Sequence, residues 1–354
     1  MKARAAIAYF WVCRLLSRAL PLALAFVLLL PSQIAPQGHA ADAASSECYE
    51  IRYSFLQPWG DQYFTDPEEW AAEFRQLRGH GVEHAILQWT LWGKEISSNP
   101  TLPEWLPAAL EAAHDTGTQL WVGLRYDPEL LENIKGYRAE DYMEWRLAEA
   151  EDAAALLGAY LQDHPTVRQA VAGWYIADEV DNTLLAQGAA NELLTRFLSA
   201  QRQVMTTAVD MPVAVTSYAS GDLPRNKLAQ HLADFMDHTG ASILFMQDSL
   251  GVALQSRKQA KTQFTALREL ARERSWKVVP VVEIFDINQK NKSFSSLSVE
   301  ATTALERMKL ASQTVQEPLA LFSVSIHVLH DTSSNGKELS SLLRKNRLGC
   351  PLEQ

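Results

Sequence analysis

Two glutamates in this chain sit where strand ends can do chemistry. Glu179 lies three residues beyond the apolar run Ala170–Ile176 (AVAGWYI), and Glu283 closes Lys277–Glu283 (KVVPVVE). A carboxylate at the end of a buried strand must be solvated or hydrogen-bonded, so an apolar residue would cost less there. Two such carboxyls facing each other across a cleft suit glycoside hydrolysis. One protonates the leaving oxygen, and the other attacks the anomeric carbon or activates water. The ends of the other apolar runs carry Gln57, Trp59, Gln88, Trp89, Trp92, Tyr126, Tyr218, Gln247, Asp248, Phe285 and His327. Indole and phenol rings present flat faces to sugar C–H groups, and amides fork onto vicinal hydroxyls. The expectation is that Glu179 acts as general acid/base and Glu283 as nucleophile, with the other residues holding a carbohydrate.

Competing roles are assigned residue by residue. Asp181 and Asp286 are placed to cap following helices, and Trp174 to pack between barrel and helices. Asp178 should alternate to the side opposite Glu179, toward the helices. His327, His330 and Asp331, with Asp248, form the alternative of a metal-dependent hydrolase. The chain has no CxxC or HExxH motif, and neither a metal nor a cofactor is expected.

The elements that must position these residues alternate. Eight runs read as strands: Tyr49–Gln57, His84–Trp89, Gln119–Leu124, Ala170–Ile176, Pro212–Ser217, Ser242–Met246, Lys277–Glu283 and Leu319–His327. Short apolar runs of this length suit strands buried on both faces of a parallel sheet. Helical patterns separate them. Asp66-Pro67-Glu68-Glu69 supplies a cap, a first-turn proline and early acids, and Pro103 opens the next helix. Further helices fit Asp141–Leu161, Ala186–Thr207, Arg225–His238, Val252–Arg274 and Ser298–Gln313, and Gly81, Gly117 and Gly240 fall just before strands. Eightfold strand–helix alternation predicts an α/β fold, a single-domain (β/α)8 TIM barrel, with its chemistry at the C-terminal strand ends. The first turn, Gln57-Pro58-Trp59-Gly60, is not a glycine-rich phosphate cradle, which argues against a dinucleotide fold.

The 354 residues carry a formal charge of −10, which excludes the basic footprint of a nucleic-acid binder. The first forty hold Lys2, Arg4, Arg14 and Arg18 and no acid, all ahead of an unbroken apolar stretch, Ala19 to Leu30. With Gly38-His39-Ala40 following, residues 1–40 read as a signal peptide, leaving residues 41–354 as the barrel. The expected protein is periplasmic or secreted, with no membrane span after cleavage. Cys48 and Cys350, at the two extremities of that barrel, read as a disulfide.

Several segments carry a family resemblance: FLQPW (55–59), ILQWT (86–90), GWYIADE (173–179), FMQDSLG (245–251) and VVEIF (281–285). They resemble a bacterial family of secreted, glycosidase-like barrels of unknown function. More distantly, Glu179 and Glu283 resemble the acid/base and nucleophile that follow strands four and seven in clan A retaining glycosidases. That clan carries Asn before its first glutamate, where this chain has Asp178, and Trp at the end of strand eight, where this chain has Ser325-Ile326-His327. The resemblance implies a carbohydrate-processing cleft and a place in an exopolysaccharide system. A non-catalytic carbohydrate-binding barrel is the alternative it leaves open.

Overall fold

The computed structural model describes residues 48–58, 64, 66–93, 101–220, 223–288 and 295–349. The expected signal peptide, Trp59 and Cys350 lie outside the described residues.

Eight parallel strands close into a barrel: β1 Ile51–Leu56, β2 His84–Leu87, β3 Gln119–Gly123, β4 Val171–Asp181, β5 Val213–Tyr218, β6 Ile243–Gln247, β7 Lys277–Glu283 and β8 Leu319–Phe322. Each pairs with its sequence neighbour, and β1 pairs with β8 to complete the ring. Around it lie α1 Pro67–Gly79, α2 Trp105–Thr116, α3 Ala139–Asp163, α4 Gly188–Ala208, α5 Arg225–Thr239, α6 Arg257–Ala271, α7 Ala301–Val315 and α8 Ser334–Gly349. This is the α/β TIM barrel that the alternation implied. No helix among the described residues is long and apolar enough to cross a membrane.

The local signals act as their chemistry requires. Asp66 caps α1 by accepting from the Glu68 N–H at 2.9 Å, with Pro67 in the first turn. Gly117 and Gly240 end α2 and α5 at φ of +67°, a conformation that costs glycine little. Period-2 alternation divides the core in two. Inside the barrel Phe55, Ile86, Trp121, Tyr175, Phe245 and Val281 pack together. Outside, alternate strand residues such as Leu87, Val122, Trp174 and Val282 meet the helices.

Three expectations shift. Strand eight ends at Phe322, and His327 lies on a π-helical turn, Ser325–Leu329. The sixth helix starts at Arg257, where Ser256 and Gln259 form a capping box, and not at Val252. The seventh starts at Ala301, because Ser296–Ser298 pairs antiparallel with Phe285–Ile287 above the barrel. The last helix, α8, lies beyond the helical patterns read from the sequence.

Candidate active site

Inward-facing residues of β4 run Tyr175, Ala177 and then Glu179, while Asp178 points outward. The pairing of β4 with β5 slips between Ile176 and Val180, a bulge around the segment carrying both acids. Bulges of this kind re-aim side chains at functional rims. Outside the barrel, Arg146 of α3 donates from Nη2 to both Asp178 oxygens, at 3.1 and 2.9 Å. Arg146 also donates to the Tyr142 hydroxyl, which in turn donates to Asp127. Asp178 is thus engaged away from Glu179, as strand alternation requires.

Glu179 is partly exposed, and its Oε1 accepts from Gln247 Nε2 at 3.0 Å. Burial pushes its carboxyl up to about 7, and the Gln247 hydrogen bond partly offsets that rise. A carboxyl that holds a proton near neutral pH can act as a general acid.

Glu283 is buried, at 1% exposure. Its Oε2 accepts from the Gly251 N–H at 2.6 Å and the Val252 N–H at 3.0 Å, while Oε1 has no hydrogen-bond partner. The donors belong to the β6–α6 loop, where Ser249 and Ala253 are held at φ of +50° and +56°. Gly251 is required by space. A Cβ there would lie 2.2 Å from the Phe285 carbonyl oxygen and 3.0 Å from Glu283 Oε2. Burial raises the Glu283 carboxyl above its ordinary range, and the charge of Asp248 raises it further. Asp248 has no exposed surface, and its Oδ1 accepts from the Leu250 N–H at 3.1 Å and the Glu283 N–H at 3.4 Å. On the helix side, Arg307 of α7 donates from Nη1 to the Glu283 and Phe285 carbonyls and pairs through Nη2 with Asp286.

The aromatic residues divide into two groups. Trp92 stacks on Tyr126 at 4.9 Å between ring centres, with Trp89 within 4.8 Å of Trp92 and 5.5 Å of Tyr126. All three belong to the cluster inside the barrel, and Trp89 Nε1 donates to the Pro58 carbonyl. The Tyr126 and Tyr218 hydroxyls are raised, by burial first, and remain donors. Gln57 donates to Gln88 at 2.9 Å. In the second group Phe285 and His327 are buried and stack at 5.1 Å, and the partly exposed Phe322 lies 6.0 Å from Phe285. Phe285, His327 and Asp248 are covered by neighbours and do not line a cleft. Trp89, Gln88 and Tyr218, expected to line it, are likewise buried, at 2%, 3% and 6% exposure.

The alternative metal set is divided among separate partners. His330 Nε2 lies 3.0 Å from Glu73, the Asp331 side chain accepts from Ser298 and Ser333, and Asp248 serves backbone donors. Among the described residues, no group of three or more His, Cys, Asp or Glu side chains could hold a metal ion. Asp181 caps the turn after β4 by accepting from the Leu184 N–H at 2.8 Å, whereas Asp286 pairs with Arg307.

Sequence reasoning missed Arg146, Arg307, Phe322 and the two amide donors. The donors were hidden because Val252 fits the hydrophobic pattern of the helix after it. Gly251, three residues after the strand-end acid Asp248, was the available signal.

Residues 51–331 match the profile of a domain of unknown function, DUF4434. An uncharacterized protein of Escherichia coli strain K12, YbcH, is 29% identical over 194 residues, which is 54% of this chain. The match spans 62% of the length of that curated relative. Among solved structures, a Bacteroides thetaiotaomicron protein provisionally assigned as an alpha-L-fucosidase superposes with a TM-score of 0.65 at 15% identity, covering 90% of this chain and 99% of that one. The GH99 endo-alpha-mannosidase of Bacteroides thetaiotaomicron superposes at 0.50 with 10% identity, covering 85% and 96%. Likeness at such identities concerns the fold.

Proposed function

Because the chain belongs to the DUF4434 family and folds as a glycosidase-like barrel, we propose that it is an exported glycoside hydrolase. It acts on a polysaccharide or oligosaccharide with retention of anomeric configuration. The observation that carries this reading is the contrast between two rim glutamates. Glu179 is partly exposed and holds a proton near neutrality, while Glu283 has one oxygen fixed by two amides and the other buried without a hydrogen-bond partner, so that substrate must open the way to it.

In the first step Glu283 Oε1 forms a bond to the anomeric carbon as the glycosidic C–O bond breaks. Glu179 gives its proton to the leaving oxygen. Water then attacks the same carbon, Glu179 takes back a proton, and Glu283 leaves as carboxylate. Trp92 and Tyr126 supply the sugar platform, with Trp59 and Trp89 beside them. Gln57, held by the buried Gln88, addresses hydroxyls, and Gln247 sets the Glu179 carboxyl. An acidic, exported barrel fits work within exopolysaccharide machinery.

Export also fits a Cys48–Cys350 disulfide. Tyr49, next to Cys48, exchanges two hydrogen bonds with Asn346 of α8, at 2.9 and 2.7 Å, so the two ends of the barrel meet. Intact mass before and after reduction tests this bridge, and two free thiols in exported protein would refute it.

A second reading, a non-catalytic carbohydrate-binding barrel, is favoured by the 1% exposure of Glu283. The product's anomeric configuration, followed by proton NMR from the first turnover, tests the reaction class. Retention supports double displacement, and inversion would require water as the direct nucleophile.

A further inference from the structure

Asp248 and Glu283 are two carboxyls buried side by side with too few donors for two charges. Each has one tethered oxygen and one, Oδ2 of Asp248 and Oε1 of Glu283, that is buried without a hydrogen-bond partner. Two adjacent acids in such a place ionise one at a time. The charged groups facing them are Arg307, whose donors go to the Glu283 and Phe285 carbonyls and to Asp286, and Asp286 itself, which lies beyond Arg307. Neither replaces the missing partner of the second acid.

The donors decide where the proton stays. Glu283 Oε2 receives amide bonds of 2.6 and 3.0 Å, whereas Asp248 Oδ1 receives longer ones of 3.1 and 3.4 Å. Hydrogen bonds to a carboxylate are the shorter and stronger kind. We propose that Asp248 is a positioning residue that keeps one proton on Oδ2 and thereby leaves Glu283 as the single anion of the pair. Resting on the hydrolase reading, this assigns Asp248 to the nucleophile and not to the substrate. A neutral Asp248 also costs less to bury completely than a carboxylate would. Burial raises both carboxyls, as adjacent acids that ionise one at a time require, and the donor geometry alone places the proton. Gln255 supports the arrangement by donating to the Asp248 carbonyl at 2.6 Å.

The test needs no substrate. The full chain, labelled with 13C-carboxyl aspartate, is titrated by infrared difference spectroscopy. A protonated aspartate band that persists above pH 7, shifts with the label and disappears in Asp248→Asn is the expected result. In Glu283→Gln the same band should titrate at lower pH, because the neighbouring charge is gone; this variant serves if Asp248→Asn does not fold. Absence of the band at pH 7, or its survival in Asp248→Asn, would overturn the proposal. With a substrate that the wild type turns over, Asp248→Asn should leave the acidic limb of kcat/KM where it is, because the neighbour of Glu283 is neutral in both proteins. A limb moved down by about one pH unit would show that Asp248 carries charge while Glu283 ionises and would overturn the proposal. A persistent band in a protein that hydrolyses nothing would keep the pair and refute the hydrolase reading.

Discussion

Gln247 donates to Glu179 across the mouth of the barrel, tying the end of β6 to the end of β4 at 3.0 Å. The next residue, Asp248, lies against Glu283 at the end of β7. One dipeptide therefore reaches both glutamates, which makes β6 the element that sets their states.

Removing the Gln247 amide should raise the Glu179 pKa, since a donor to the carboxylate favours the charged form. In Gln247→Leu the alkaline limb of the rate profile is expected above its wild-type position near pH 7. We also expect kcat to fall roughly tenfold as the acid loses its orientation. A limb that moves downward would assign the amide a different role.

Glu179 should also shape stability. Its folded pKa of about 7 lies above the ordinary value of 4.5, so the unfolded chain releases this proton first. The favourable contribution is complete below pH 4.5 and is lost as pH rises to about 7. Glu179→Gln should therefore stabilise the protein above pH 7, by up to ~3 kcal/mol, and leave it unchanged at pH 4. Urea unfolding at both values checks this.

Gly251 cannot take a side chain without displacing Phe285 or Glu283. Gly251→Ala is expected to destabilise the fold by about 1–3 kcal/mol and to abolish turnover. Gly79→Ala, at the end of α1 with nothing within 4 Å of the added carbon, is the control and should be nearly neutral. Equal effects of the two would dismiss the close approach at Glu283.

The Arg146–Asp178 pair is almost wholly buried. Asp178→Ala leaves the guanidinium without its charge partner and should cost about 3–5 kcal/mol. The thermal midpoint reads the loss. A neutral outcome would show that Tyr142 and the Arg125 carbonyl suffice for Arg146.

Much of this architecture is legible in the sequence, because local rules decide it. Asp66-Pro67 starts a helix wherever it precedes an amphipathic run, and Val278-Val279 reads as buried strand in any context. Glu179 and Glu283 were legible because charge is expensive at a buried strand end. What escaped depends on distant partners. Nothing near Asp178 announces Arg146, thirty-two residues earlier. Val252 obeys helical periodicity, yet its amide turns to Glu283, since positive φ at Ser249 and Ala253 holds the loop open. The run Leu319–His327 looks like one strand, and only the fold shows it bending at Phe322 so that His327 packs on Phe285.

The central claim is that Glu179 and Glu283 cleave a glycosidic bond. Wild type and Glu283→Gln, screened together for new reducing ends and for binding on bacterial and plant polysaccharides, test it most directly. The account predicts that the wild type releases reducing ends from at least one polymer, which Glu283→Gln still binds but does not cut. Full activity in Glu283→Gln, or a wild type that binds a polymer and never cleaves it, would contradict it.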